Sequence, residues 1–228
     1  MAAQAEADEP TADPGGFSYA AALVAQAADQ SKGERTRAQL LRAVCTLLDT
    51  HSPQDLTIAA ICGEAGLSNG AFYVYFSDRR LLVDELLTGF VGFAQAAMRA
   101  ASRGRPEDPV RAATRAYVTL FRENRGLMRC LVHHLDGFPE AREAFHRFNR
   151  DWLEGVVAAV ERDLARAGQP GAIARDELLR RAYALGGMVD QYLSSLLLSE
   201  DPALVAVSGD EAAVLDTLDL IWERGMRP

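Results

Sequence analysis

The residues most able to do chemistry lie in one short run. Ser68-Asn69-Gly70-Ala71 follows a glycine, Gly66, and precedes an aromatic block, Phe72-Tyr73-Val74-Tyr75-Phe76. Four side chains that are small, polar or missing leave a backbone free to approach another polar surface closely. Ser68 is a good helix N-cap, and a helix N-terminus favours phosphate. The Asn69 carboxamide has the geometry to read adenine through two hydrogen bonds. Phe72 and Phe76 are four apart and share a helix face, which suits core anchors. Tyr73 and Tyr75 are two apart and cannot both face a core, so at least one hydroxyl should reach a phosphate or solvent.

Other candidate chemistry is thin. His133 and His134 are adjacent, so on a helix they diverge by about 100°. No nearby Cys or His completes a zinc spacing, and no metal is expected. Cys45, Cys62 and Cys130 are odd in number and widely spaced, which makes no disulfide framework. Reduced, buried thiols are the expectation, with redox sensing the sharper alternative. No HExxH, G-x-S-x-G, Walker loop or GxGxxG is found, and His133, His146 and Asp136 have no nucleophile beside them. The chain is therefore expected not to be an enzyme and to need no cofactor.

The elements that must position Ser68–Ala71 read as helices. Ser31 caps a helix with Glu34 as a capping-box partner, and Leu40, Leu41, Val44, Leu47 and Leu48 mark its apolar face. His51-Ser52-Pro53 ends it. Thr57–Ala65 is a short second helix, stopped by Gly66. Ser68 opens a third, running to about Phe76. Ala60, Cys62 and Ala65 are small enough for a close helix crossing, and Ile58, Ile61 and Leu67 would pin the pair to the first helix. Asp78 caps a further helix carrying Leu82, Leu86, Phe90, Phe93 and Ala97. Residues 57–76 thus form a helix-turn-helix whose second member could enter a major groove.

Apolar stripes continue beyond a loop near Ser102–Pro109. They run through Val110, Thr114, Tyr117 and Phe121, then Leu127–Leu135, then Phe145, Phe148, Trp152 and Val156. Leu178, Ala182, Leu185, Val189, Tyr192 and Leu196 follow, and Val214, Leu218 and Ile221 close the chain. Asp201-Pro202 and Ser208-Gly209-Asp210 bound an expected loop. No strand signal is seen. The fold class is all-α with about nine helices, and no internal repeat.

The net charge of −8 is uneven. Residues 1–31 hold −5, residues 32–80 hold +1, and the remainder holds −4. Attraction to phosphate depends on local charge at the contact surface, so the acidic total leaves DNA binding open. Residues 1–30 form an acidic extension expected to be disordered, with a possible short helix over 17–30. Residues 31–80 form the helix-turn-helix domain and 81–228 a second helical domain. No basic start with an apolar run suggests a signal peptide, and no run approaches the ~18 uninterrupted apolar residues of a membrane span. A cytoplasmic protein is the expectation.

The combination over Glu34 to about Phe90 resembles the TetR family of regulators. It comprises a basic first helix (ERTRAQLLRAVCTLL), Thr57 opening the second, the AGLS turn Ala65–Ser68, the aromatic helix ending in Tyr75-Phe76, and Arg79 opening the next helix. The resemblance implies roles by position. Thr57 would bond a phosphate, while Ser68, Asn69, Gly70 and Ala71 would lie in the groove. Tyr73 and Val74 would sit at the backbone or groove wall, and Arg79 would clamp a phosphate. Apart from the resemblance, Lys32, Arg35 and Arg37 read equally as residues beside the DNA backbone or as ordinary exposed charges. Two positions depart from the family: Asn69 stands where lysine is common, and Val74 where histidine is common.

The second half suggests two further sites. Phe90, Tyr117, Phe121, Met128, Phe145, Phe148, Trp152, Met188 and Tyr192 could converge on a pocket for a small, partly apolar effector, though each also reads as ordinary core. Leu178, Ala182, Leu185, Val189, Leu196, Val214, Leu218 and Ile221 are candidates for a homodimer surface, or for intramolecular core. Gly186-Gly187 inside a helix is unfavourable unless a neighbour approaches closely. A two-fold dimer would favour a palindromic operator. The expected function is a repressor released from double-stranded DNA by an effector. The alternative is a helical interaction module that keeps the fold without DNA binding.

Overall fold

The computed structural model describes residues 16–228. The acidic stretch before them, expected to be disordered, lies outside the described residues. Among those described there are eleven α-helices, one 3-10 turn and no strand. They are α1 (Tyr19–Ala27), α2 (Lys32–Leu48), α3 (Ile58–Ala65), α4 (Asn69–Tyr75), α5 (Arg79–Gly104) and α6 (Pro109–Glu123). After them come α7 (Arg125–His133), the 3-10 turn Leu135–Gly137, α8 (Pro139–Arg166), α9 (Arg175–Leu197), α10 (Pro202–Val207) and α11 (Glu211–Gly225).

Local capping explains most of the starts. The Ser31, Thr57, Ser68 and Asp78 side chains each accept a bond from the backbone N–H three residues on, at 3.3, 3.1, 3.3 and 3.0 Å. The expected loop over 201–210 instead holds α10. There Pro202 sits in the first turn and Asp201 Oδ1 accepts from Ala203 and Leu204 N–H at 2.9 and 3.2 Å. The long helix α8 begins without a cap of its own. A buried carboxylate on another helix replaces it: Asp84 of α5 accepts from Ala141 N–H at 2.8 Å and Glu140 N–H at 3.4 Å.

α5 is the spine. It packs along α6 and α8, and its inward side carries Leu82, Leu86, Leu87 and Phe90, all fully buried. One apolar core runs from Tyr19 through Phe72, Phe90, Phe121 and Met128 to Leu218, so the helix-turn-helix end and the C-terminal helices share it. A smaller core of Leu153, Val157, Leu178, Ala182 and Leu185 closes the far end.

Two joints tie the helix-turn-helix to the rest. In the first, α1 lies on α2 and Tyr19 packs on Phe90 and Phe93, with ring centroids 5.6 and 5.3 Å away. Tyr19 N–H donates to buried Asn124 Oδ1 at 2.8 Å, and Asn124 Nδ2 returns a bond to Phe17 O at 2.7 Å. The helix expected within 17–30 is therefore part of the core. In the second joint, the start of α7 meets the end of α2. Gly126 N–H donates to Asp49 Oδ1 at 3.1 Å, and Arg129 reaches the Leu48 and Asp49 carbonyls at 3.3 and 3.4 Å. A methyl at Gly126 would sit 2.7 Å from Asp49 N and nearer still to the Leu48 carbonyl, so only glycine allows this approach.

Candidate nucleic-acid interface and inner cavity

The turn between α3 and α4 is built on Gly66, which adopts φ 68° and ψ 31°. That left-handed conformation is costly for a residue with a Cβ. Leu67 N–H then closes on Cys62 O at 2.8 Å, ending α3 in the manner of a Schellman turn. Ile61, Cys62, Phe72 and Phe76 are buried and hold the pair against α2. The opposite side is open: Thr57, Ser68, Asn69 and Gly70 are exposed, and Ala71 is half-buried. Tyr73 is 61% exposed and Val74 75%. Tyr75 is the half-buried tyrosine and lies over Gly33. The structure thus separates scaffold from outward face within a single two-turn helix. Since Thr57 and Ser68 hydroxyl oxygens only accept in their caps, both protons stay available for an outside acceptor.

The basic residues divide differently from expectation. Lys32 is exposed at the start of α2. Arg35 bends back to donate to Gln30 O at 2.6 Å. Arg79 donates to Gln54 O at 2.7 Å and also to Leu56 O, so part of its guanidinium braces the segment leading into α3. The sequence offered no sign of this, because the carbonyls lie more than 20 residues upstream. Arg37 also braces, pairing with Glu85 and lying 5.1 Å over the Phe76 ring.

A second feature lies among α5, α6, α8, α9 and α11. They enclose a narrow cavity of about 60 Å³. Of the expected pocket residues, Tyr117, Phe145, Phe148 and Trp152 line it. Phe90, Phe121 and Met128 are fully buried core and do not reach it. Tyr192 turns to Ser208, hydroxyl to hydroxyl at 3.2 Å. Met188 is 45% exposed on the outer side of α9; it sits one helical step from Val189, whose side chain takes the inward position. The cavity also gains Asn149, Asp190 and Trp222, which sequence reasoning missed. The available signal was an acid at Asp190, directly after an inward position on a long apolar stripe.

Asp190 Oδ1 accepts from the Tyr117 hydroxyl at 2.6 Å. Burial raises the carboxyl to about 6, against the lowering influence of the Tyr117 bond. The Tyr117 phenol is pushed well above its ordinary value, by burial first and by the Asp190 charge next. Elsewhere, burial pushes the Cys45 and Cys130 thiols up to about 12, which keeps them protonated and unreactive. His133 Nε2 lies 2.8 Å from Ser194 Oγ, so one of the paired histidines makes a part-buried polar contact within the protein. Among the described residues no cluster of three metal-binding side chains occurs.

The expected dimer residues are mostly used within the protomer. Leu178, Ala182, Leu185, Val189, Val214 and Leu218 are buried, with Leu196 and Ile221 partly so. The outer face of the same helices presents Tyr183, Ala184, Gly187 and Met188 on α9, and Ala213, Thr217 and Leu220 on α11. Gly186 packs inward, 3.8 Å from Leu153 Cδ2 for an added Cβ, whereas Gly187 faces open space.

No family model matches the chain. It is similar to the HTH-type transcriptional regulator EthR of Mycolicibacterium smegmatis, with 23% identity over 83% of this chain and 85% of the relative. EthR of Mycobacterium tuberculosis is 24% identical over 83% and 86%. The fold matches a transcriptional regulator from Pseudomonas aeruginosa at a TM-score of 0.64, with 18% identity over 87% of this chain and 93% of that one. It also matches the transcriptional regulator FadR from Bacillus subtilis, in complex with stearoyl-CoA, at a TM-score of 0.58, with 14% identity over 79% and 96%. The chain thus has a TetR-like all-α fold, and its similarity to HTH-type transcriptional regulators over most of its length supports a DNA-binding regulator.

Proposed function

We propose that the chain is a sequence-specific repressor that binds a palindromic operator as a homodimer in the cytoplasm and is released by a small, partly apolar effector. The observation that carries this reading is the division of α4: Phe72 and Phe76 hold the helix from below while Asn69, Gly70, Tyr73 and Val74 stand clear of the protein. Tyr73 and Val74 stand exposed side by side on this seven-residue helix, which suits a surface that a partner covers. Asn69 would read bases, Tyr73 and Thr57 would hold phosphates, and Val74 would pack on a thymine methyl. The two-fold contact would use the outer faces of α9 and α11, where Gly187 lets a second helix come near. The effector would occupy the cavity and favour a dimer spacing unsuited to DNA.

Fluorescence anisotropy with DNA from around its own coding region, at stated salt, tests this. Tighter binding to one palindrome than to random DNA is the expected result, with affinity falling steeply as salt rises. An intact dimer with no DNA affinity would favour an interaction module instead.

A further inference from the structure

Asp190 stands apart from the other acids of this fold. Most of the described carboxylates sit in exposed ion pairs, at helix starts or free in solvent, and the buried Asp84 is satisfied by two backbone N–H groups of α8. Asp190 is partly buried, lines the cavity, and has a single bond, from the Tyr117 hydroxyl at 2.6 Å. Among the described residues no Lys, Arg or His pairs with it within 4.0 Å. An unpaired buried carboxylate is unfavourable, and a fold that keeps one without a cation is stable only at some cost. Tyr117, Phe145, Trp152 and Trp222 line the same cavity, and aromatic rings attract cations. A carboxylate and aromatic rings lining one cavity make one chemistry.

We infer that the cavity takes a lipophilic cation, an amine or ammonium group carried on an apolar body, with the positive head at Asp190. This rests on the effector reading of the cavity above. Room for the apolar body adjoins the cavity: two outer clefts share Val110 and Val156 with it, one beside Trp152 and the other beside Trp222. The first cleft carries Arg99 and Arg162, where an acyl anion could place its headgroup instead. That competing ligand is the mirror image in charge, so one experiment separates the two.

The probes are 4-phenylbutylamine, 4-phenylbutanol and 4-phenylbutyrate, matched in size and different in charge. Both tryptophans of the chain, Trp152 and Trp222, line the cavity, so intrinsic fluorescence reads occupancy directly. At pH 7.5 the dimer should bind the amine about tenfold or more tighter than the alcohol. Asp190→Asn should remove that preference and leave the alcohol unchanged. Tyr117→Phe should keep it, since the carboxylate remains. Equal or tighter binding of the butyrate, a preference that survives Asp190→Asn, or no binding of any probe would overturn the inference. The DNA arm is separate: if the amine binds through Asp190 but leaves operator affinity unchanged, the ligand class stands and the effector reading fails.

Discussion

Gly70 and Asp190 show how one side chain, or its absence, separates stability from function. Gly70 lies within α4, and a methyl placed there would meet only Ser68 Oγ at 3.9 Å. Nothing inside the protein requires glycine. Gly70→Ala should therefore stabilise the fold by about 0.5–1 kcal/mol, because alanine loses less backbone entropy. It should weaken operator binding if the bare backbone meets the groove. Thermal unfolding and anisotropy on the same sample check both signs. Tyr73→Phe should leave unfolding unchanged and lower affinity several-fold, about one lost hydrogen bond. Asp190 works in the other direction. Its folded carboxyl titrates near 6, above the ordinary value of 3.8. The folded state then binds more protons than the unfolded one between about pH 4 and pH 6. This contribution is present below pH 4 and is lost as pH rises through 6. Asp190→Asn should stabilise the fold at pH 8 by on the order of 2 kcal/mol, read as a higher melting temperature, and make little difference at pH 4. Calorimetry at the two pH values is the check.

Helices here are held by groups from other helices as much as by their own ends. Asp84 caps α8 from α5, and Arg79 holds the carbonyls that precede α3. Asp84→Ala should leave Ala141 N–H unpaired in a buried place and cost about 1–3 kcal/mol. The contact between α7 and α2 is tighter. Gly126→Ala would drive a methyl into the Leu48–Asp49 backbone, which cannot give way as a side-chain tip can. A loss of about 1–3 kcal/mol or more is expected in urea unfolding. Because α2 carries the helix-turn-helix and α7 packs on α5, α6 and α9, the variant should also lower operator affinity of the folded fraction.

At the scale of the molecule, the proposed regulator requires two surfaces and one cavity to work together. The outer face of α9 and α11 is apolar around Tyr183, Met188 and Leu220, and these are the places to break a dimer without disturbing the core. Tyr183→Glu with Leu220→Glu should yield folded monomers by sedimentation. Those monomers should lose the operator more severely than either α4 variant, since a half-site contact offers roughly half of the phosphate contacts. Substituting Leu178 or Ala182 instead would unfold the protein, because both are fully buried within one protomer.

Local signals in the sequence were enough for the helical class, the caps at Ser31, Thr57, Ser68 and Asp78, and the helix-turn-helix at 57–76. Each depends on neighbours within four residues, and the 3.6-residue period reports those neighbours directly. The period also named the inward stripe of α9, but it could not say whether inward meant toward the protomer or toward a second copy. That choice depends on α8 and α11, which arrive from elsewhere in the chain. The same limit applied to Arg79 and Asp190. A charge looks alike in sequence whether it meets solvent, a distant carbonyl or an apolar cavity. Only the packing of α4 on α2 and α3 decided which of its tyrosines faced out, and only that of α5, α6, α8, α9 and α11 decided which aromatics lined the cavity and that a carboxylate without a cation partner stood among them.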